Sequence, residues 1–376
     1  MLPVFRILYP PTSGGFFLPL GNRHLALDLQ RIQPMRFYLT LLATIGIQWL
    51  SGQTLGGNAV FHFLSQPNTA QVAALGGYNI SAISKDVGMS FQNPALLRQG
   101  MHQQLNASFH SFLAGIRNYS FTGAWQLAEA KTTLAAGTNY FDYGTITQTD
   151  ASGMILGSFR PVDYVVQVMA SRRYKDYFRY GLTMKYIHSN YGQYRSSGLA
   201  FDVGVSYYDS LNQLQVSLVA KNMGTQVKTY DGSNRKEELP FDLQAGVTKR
   251  LANAPLQFSV TAHHLQQLNG YYNDTSFRAS EGEIGYAANS TLQKIFSHLV
   301  FSAQVFLHEK LELDAGINFQ RRQDLNAYNL SSGLNGFTFG TGIFLRRVHI
   351  RYATGLYQRN LFHQFSINLN WNGRDM

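Results

Sequence analysis

A period of two governs most of this chain. From about residue 105 to 371, apolar and polar residues alternate in one run after another. A backbone whose successive side chains point to opposite faces is a β-strand. "FSINLNW" puts Phe365, Ile367, Leu369 and Trp371 on one face and Ser366, Asn368 and Asn370 on the other. "LELDAGINF" sets Leu311, Leu313, Ala315, Ile317 and Phe319 against Glu312, Asp314 and Asn318. "VHIRYATGL" and "LQFSVTAHHL" repeat the pattern. About fourteen such runs are centred near residues 109, 123, 138, 168, 183, 203, 218, 245, 261, 303, 315, 340, 352 and 367. Many approach the roughly 9–11 residues that a tilted strand needs to cross a bilayer.

The links between the runs alternate as well. Short connections fall around Ala130 and at 174–176, 209–212, 251–254, 308–310 and 346–347. Longer ones are expected at 144–162, 190–196, 224–238, 268–297 and 321–333. Short turns at one end and long loops at the other mark an outer-membrane barrel, and an even strand count leaves both chain ends on the short-turn side. Closure also satisfies every backbone polar group in lipid, which an open sheet cannot do. The expected fold is therefore all-β: a transmembrane antiparallel β-barrel of about fourteen strands over 105–371.

Composition agrees. Charged residues make up 14% of the 376 and aromatic residues another 14%, against about 25% charged in an ordinary soluble domain. Cysteine is absent, which removes disulfides, thiolate nucleophiles and cysteine-bound zinc. The net charge of +10 is scattered, with no run of Lys and Arg, so a nucleic-acid partner is not expected. The eleven histidines show no metal-binding spacing. His263 and His264 are expected on opposite faces because neighbours in a strand alternate. Together with Asp274 and Ser276 they lack the glycine elbow of a hydrolase, so no enzyme, cofactor or metal is expected.

The N-terminal part is different. Met35-Arg36 followed by "FYLTLLATIGIQWL" and "SGQ" has the order of a signal peptide, 35–52, with cleavage expected after Gly52 and Gln53 as the mature start. Residues 1–34 then read as upstream sequence outside the native protein. Residues 53–104 carry small residues, the pair Gly76-Gly77, Asp86 and the turn Asn93-Pro94. A fourteen-stranded barrel is wide enough to hold a lumen. This segment is expected to fill it as a hatch, with Pro94 ending its structure before the first strand.

"AALGG…ISKDVGMSFQNPALL" resembles the hatch segment of FadL-like outer-membrane barrels. Within that superfamily, "GLAFDVGVSYY", "LVAKNMGTQ", "LPFDLQAGVTKRLANAPLQFSVTAHHLQ" at 239–266 and "INFQRRQDL…GLNGFTFGTGI" resemble PorV- and PorQ-like proteins of the Bacteroidetes type IX secretion system. The resemblance spans roughly 60–371. It implies a non-catalytic outer-membrane component of an attachment complex. Its partners would be a PorZ-like protein, a sortase-like protease, a PorV-like barrel, outer-membrane lipid and lipopolysaccharide. Tyr271, Tyr272, Phe277 and Tyr286 in the longest loop, with Arg321 and Arg322, are the partner-contact candidates; aromatic and arginine anchors are enriched at interfaces. The alternative is a FadL-like channel for hydrophobic small molecules, in which Gly340 and Gly342 are expected to kink a strand and open the wall.

Overall fold

The computed structural model describes residues 59–267, 291–326, 333–357 and 360–371. The expected signal peptide and the segment before it lie outside these residues.

The described residues form sixteen strands. The first group is β1 (Gln104–Ser111), β2 (Arg117–Leu127), β3 (Thr132–Asp142), β4 (Ile146–Thr149), β5 (Ile155–Phe159), β6 (Val162–Tyr174), β7 (Phe178–Tyr191) and β8 (Tyr194–Asp209). The second group is β9 (Leu214–Lys228), β10 (Asp242–Arg250), β11 (Leu256–Ala262), β12 (Leu299–His308), β13 (Leu311–Asn318), β14 (Phe337–Phe344), β15 (Val348–Tyr357) and β16 (Asn360–Asn370). Fourteen of them form a closed antiparallel barrel; β4 and β5 make a separate hairpin. The ring shuts where β1 pairs with β16, with Gln104 opposite Asn370 and Ala107 opposite Ile367.

Each wall strand buries its polar face. In β2, Phe121 is 55% exposed while its neighbour Ser120 is 1% exposed; in β9, Leu218 is 51% exposed and Ser217 3%. This inside-out pattern is that of a barrel in lipid, apolar residues facing acyl chains and polar ones facing the lumen. Among the described residues no helix is long and apolar enough to cross a membrane.

Link lengths sort as expected, with one correction. The links after β2, β6, β8, β10, β12 and β14 span two to five residues each. At the other end, the β3–β6 link carries the β4–β5 hairpin, and helices Thr291–Ser297 and Phe319–Asn326 lie in two further links. The expected long loop at 190–196 is instead a tight hairpin: Tyr191 pairs with Tyr194, and Gly192 takes the left-handed backbone the turn needs (φ 70°). The strands simply continue further than the alternation suggested.

Inside the barrel runs the chain from Ala59 to Gln103. Helix Ala70–Ala74 is buried along its whole length. Its backbone donates from Ala70 N to Ser366 Oγ (2.7 Å), and Gly76 N just beyond it donates to Thr338 Oγ1 (3.0 Å). Asn79 reaches Ser302 (3.3 Å), Ser81 meets Thr248 (2.8 Å), and Val87 N donates to Gln104 Oε1 (2.9 Å). Each of these wall residues is a polar, inward member of an alternating strand, so the lumen face supplies hydrogen-bond partners to a segment with too few of its own.

Glycines set how closely segment and wall approach. Gly76 and Gly77 have φ of 90° and 89°, and a Cβ on them would lie 2.4 Å from Val300 Cγ1 and 2.5 Å from Arg321 Nη2. Gly340 does not kink its strand: β14 stays in continuous register with β13 and β15. A Cβ there would stand 2.5 Å from Ala74 Cβ, so this glycine makes room for the inner helix and does not open the wall. Gly342 lies in the same unbroken ladder. Pro94 is corrected too. Asn93 is extended as expected, but Pro94–Leu96 is a short 3₁₀ turn capped by the Asn93 side chain, which accepts from Ala95 N.

Candidate functional site

Among the described residues, the inner segment meets the wall in the lumen, and the two sides of that lumen differ in chemistry. On the β13–β16 side lies a charged clasp. Asp86 caps the turn Val87–Phe91, its Oδ1 accepting from Gly88 N (2.8 Å). The other oxygen accepts from Arg351 Nη1 on β15 (3.2 Å), and Arg351 Nε donates to Glu312 Oε1 on β13 (3.2 Å). All three side chains are at most 4% exposed. A buried guanidinium shared by two carboxylates ties the inner segment to two wall strands. The sequence flagged Asp86 but not its partner, because nothing local marks Arg351 as facing inward beyond its place in the polar half of an alternating strand.

Asn93 acts as a second fixing point. Its Nδ2 donates to Ile80 O (3.1 Å) while Oδ1 accepts from Ala95 N (2.9 Å). Gly204 and Gly181 permit its approach: Cβ atoms there would fall 2.0 Å from Asn93 Oδ1 and 2.5 Å from the Pro94 carbonyl carbon.

On the β3–β8 side, towards the long-loop end, the polar lining gives way. Phe141, Val165, Ile187 and Ala200 point inward and pack with Leu239 against Val60, Phe61 and Phe63 of the inner segment. Phe63 meets Phe141 edge-on at 5.5 Å. A rim of hydroxyls borders this cluster: Tyr143 and Tyr191 donate to Asp163 Oδ2 (2.7 and 2.9 Å), and Tyr230 donates to Ser189 (2.7 Å). The adjoining β8–β9 ladder is irregular, with register shifts at Ser197/Gly198 and Phe201/Val203. There Asn222 turns left-handed (φ 58°), its N–H donates to Asp202 (2.8 Å), and Lys185 pairs with Asp202 (2.7 Å). Bulges of this kind re-aim side chains and interrupt pairing beside functional regions.

A third cluster sits at the long-loop ends of β10 and β11. His263 and His264 do not point apart: their Nδ1 atoms are 2.7 Å from each other. The pleat ends at Ala262, and His264 is left-handed (φ 53°), which swings its ring back beside its neighbour. Asp242 joins them, accepting from His264 N at Oδ1 (2.7 Å) and from Gln244 at Oδ2 (2.6 Å). The Tyr78 ring stacks on His263 at 4.4 Å; burial, then the charge of Asp242, pushes the Tyr78 hydroxyl above its ordinary range. Burial likewise raises the Asp324 carboxyl, opposed by nearby His264. No metal-binding spacing is visible along the chain here, because the carboxylate comes from another strand and the left-handed turn is a tertiary outcome.

Of the residues proposed to meet a partner, Tyr271, Tyr272, Phe277 and Tyr286 lie outside the described residues. Asp274 and Ser276, which the sequence reading set aside, do as well. Arg321 and Arg322, on helix Phe319–Asn326, are engaged within the chain. Arg321 lies over Tyr357 (5.1 Å) and beside Gly77. Arg322 donates to the carbonyls of Gly333 (3.0 Å) and Asn335 (3.3 Å).

Solved structures supply the comparison that sequence does not. The toluene transporter TbuX of Ralstonia pickettii aligns at a TM-score of 0.51 with 10% identity, over 82% of this chain and 99% of that one. The two chains share a barrel fold. A TodX monoaromatic hydrocarbon channel lacking two segments (deltaS2S3) aligns at 0.50 with 12% identity, over 81% and 99%. A Pseudomonas aeruginosa FadL homologue aligns at 0.45 with 8% identity, over 81% and 98%. No protein-family model matches the chain, and no curated protein matches it. The inner segment, the clasp and the apolar cluster therefore sit in a barrel fold shared with TbuX and TodX at 10–12% identity.

Proposed function

We propose that this protein is an outer-membrane channel for small hydrophobic molecules. The observation that carries the reading is the apolar cluster of Phe141, Val165, Ile187 and Ala200 with Phe61 and Phe63, set inside the lumen towards its long-loop end. An apolar guest gains about 25 cal/mol for each Å² of its surface removed from water, and this cluster is where the lumen offers such burial. The guest would take the place of Phe61 and Phe63 when the stretch from 60 to 66 shifts, while the clasp at Asp86 keeps the rest of the segment in position. The printed descriptions of TbuX and TodX, a toluene transporter and a monoaromatic hydrocarbon channel, agree with a guest of this class.

The test is uptake of a labelled monoaromatic hydrocarbon by cells with an intact lipopolysaccharide outer membrane. Uptake should rise several-fold when the chain is present, and Ile187→Trp, which fills the cluster, should remove the rise. Equal uptake with and without the chain would reject the channel.

A second reading keeps a non-catalytic role in a type IX attachment complex, holding a PorZ-like partner at the surface. It rests on the resemblance of residues 239–266 to PorQ-like proteins. Capture of a PorZ-like protein from detergent-solubilised membranes, lost when 268–290 is deleted, would favour it over the channel.

A further inference from the structure

Where β10 and β11 reach the long-loop end, Asp242, His263 and His264 bring one ligand atom each to within 4.8 Å of one another. We propose that these three side chains bind a divalent first-row transition metal. Zinc is the ion to test. Two imidazole nitrogens and one carboxylate suit zinc and its neighbours, whereas magnesium and calcium favour sets built of oxygen. Donors at about 2.0–2.2 Å from zinc stand roughly 3.3 Å apart. The two Nδ1 atoms stand 2.7 Å apart and the three ligand atoms lie within 4.8 Å of one another, spans on either side of that spacing, so small side-chain rotations complete the set.

Two independent features point to a ligand. The first is the backbone. His264 is held left-handed, a conformation uncommon for a residue with a side chain, and this turn alone returns its ring to His263. The second is an orphan atom. His263 has no solvent exposure and its Nε2 has no hydrogen-bond partner. With Nδ1 engaged by His264, either tautomer leaves that nitrogen unsatisfied in a buried ring, so the contact between the two rings does not by itself account for the burial of His263.

The surroundings already hold the donors in place. Both Asp242 oxygens accept hydrogen bonds, from His264 N and from Gln244 Nε2, and Tyr78 lies flat on the His263 ring. Oriented carboxylates and rings are the work of residues around a metal. His298 stands next to His263, its Nδ1 at the His263 carbonyl (3.0 Å) and its Nε2 without a partner, and is the candidate fourth donor. The carboxylate comes from β10, the imidazoles follow β11, and Tyr78 belongs to the inner segment just after Gly76-Gly77. A bound ion therefore locks the mouth of the barrel at the root of the longest loop. The role is structural and independent of whether the lumen conducts.

The experiment uses the full chain in detergent, purified through a tag without histidine, stripped with a chelator and titrated with Zn²⁺ by calorimetry. Native protein should take up one equivalent, and saturating zinc should raise its thermal midpoint by several degrees. His264→Ala changes a partly exposed ring, so it should still migrate as a folded, heat-modifiable barrel, yet bind zinc at least tenfold more weakly and lose the thermal shift. Asp242→Asn should weaken binding in the same direction, while His62→Ala, at an exposed position outside the cluster, should leave it unchanged. Failure of the native protein to bind zinc saturably, or equal affinity in folded His264→Ala, overturns the proposal.

Discussion

The two sides of the lumen hold the same inner segment by opposite means. Against β13–β16, beside the packing of Ala70, Ala73 and Ala74 on Ala353 and Phe362, the distinguishing contact is charged and directional: Asp86 and Glu312, buried and both hydrogen-bonded to Arg351. Against β3–β8 it is apolar and non-directional: Phe61 and Phe63 on Phe141, Val165 and Ile187. A buried ion cluster tolerates little displacement, because moving one partner leaves the others desolvated without compensation. An apolar contact can exchange one hydrophobic surface for another at small net cost. The lumen is thus pinned on one side and replaceable on the other, and a hydrophobic guest belongs on the replaceable side.

Removing the pin should have the largest effect. Arg351→Ala leaves Asp86 and Glu312 buried without their cation, and the expected loss is about 3–5 kcal/mol. Urea unfolding followed by tryptophan fluorescence and gel migration would measure it; a loss below about 1 kcal/mol would mean that the clasp is hydrated and the contrast between the two sides is false. An intermediate effect is expected at Gly316 on β13. A Cβ there would stand 2.3 Å from Gly76 N and 2.5 Å from the Leu75 carbonyl carbon, backbone atoms that cannot rotate away. Gly316→Ala should cost roughly 1–3 kcal/mol by overpacking. It should also increase protease nicking between residues 60 and 103 while the barrel itself stays resistant. Unchanged nicking would show that segment and wall can separate freely there.

The smallest change is expected on the apolar side. Ile187→Val removes one buried methylene and should cost about 0.5–1.5 kcal/mol, with the barrel's gel migration unaltered. Its use is to sharpen the contrast: hydrocarbon uptake should change with this modest substitution and stay unchanged in any Gly316 variant that remains folded. The reverse ranking would place the guest elsewhere in the lumen.

Legibility followed the reach of the interactions. All fourteen wall strands could be read from alternation, because the lumen and the lipid impose opposite polarity on successive residues. The strand ends were less legible: at Tyr191 and Tyr194 a two-residue turn replaced an expected loop, since one glycine suffices to reverse a ladder. Gly76, Gly77, Asp86, Asn93 and Pro94 stood out in the sequence, the first two by their lack of a side chain, Asn93-Pro94 as a turn, and Asp86 through the resemblance of its stretch to a hatch segment. Their partners did not, because Arg351, Gly204 and Val300 are hundreds or scores of residues away and carry no local mark; Arg321 was visible, but as a contact for an outside partner and not for Gly77. Gly340 was visible but misread, as its value lies in an approach by Ala74.

By itself, then, the amino-acid sequence determined the cylinder: a binary pattern of period two, low charge and sorted link lengths admit few other ways to satisfy a backbone next to lipid. It did not determine what the cylinder encloses or where its chemistry lies. Those depended on closure, which brings Asp86 to Arg351, Phe63 to Phe141 and Asp242 to the histidine pair. Such contacts join residues distant along the chain, and only the curvature and register of the finished wall decide which inward side chain meets which part of the inner segment.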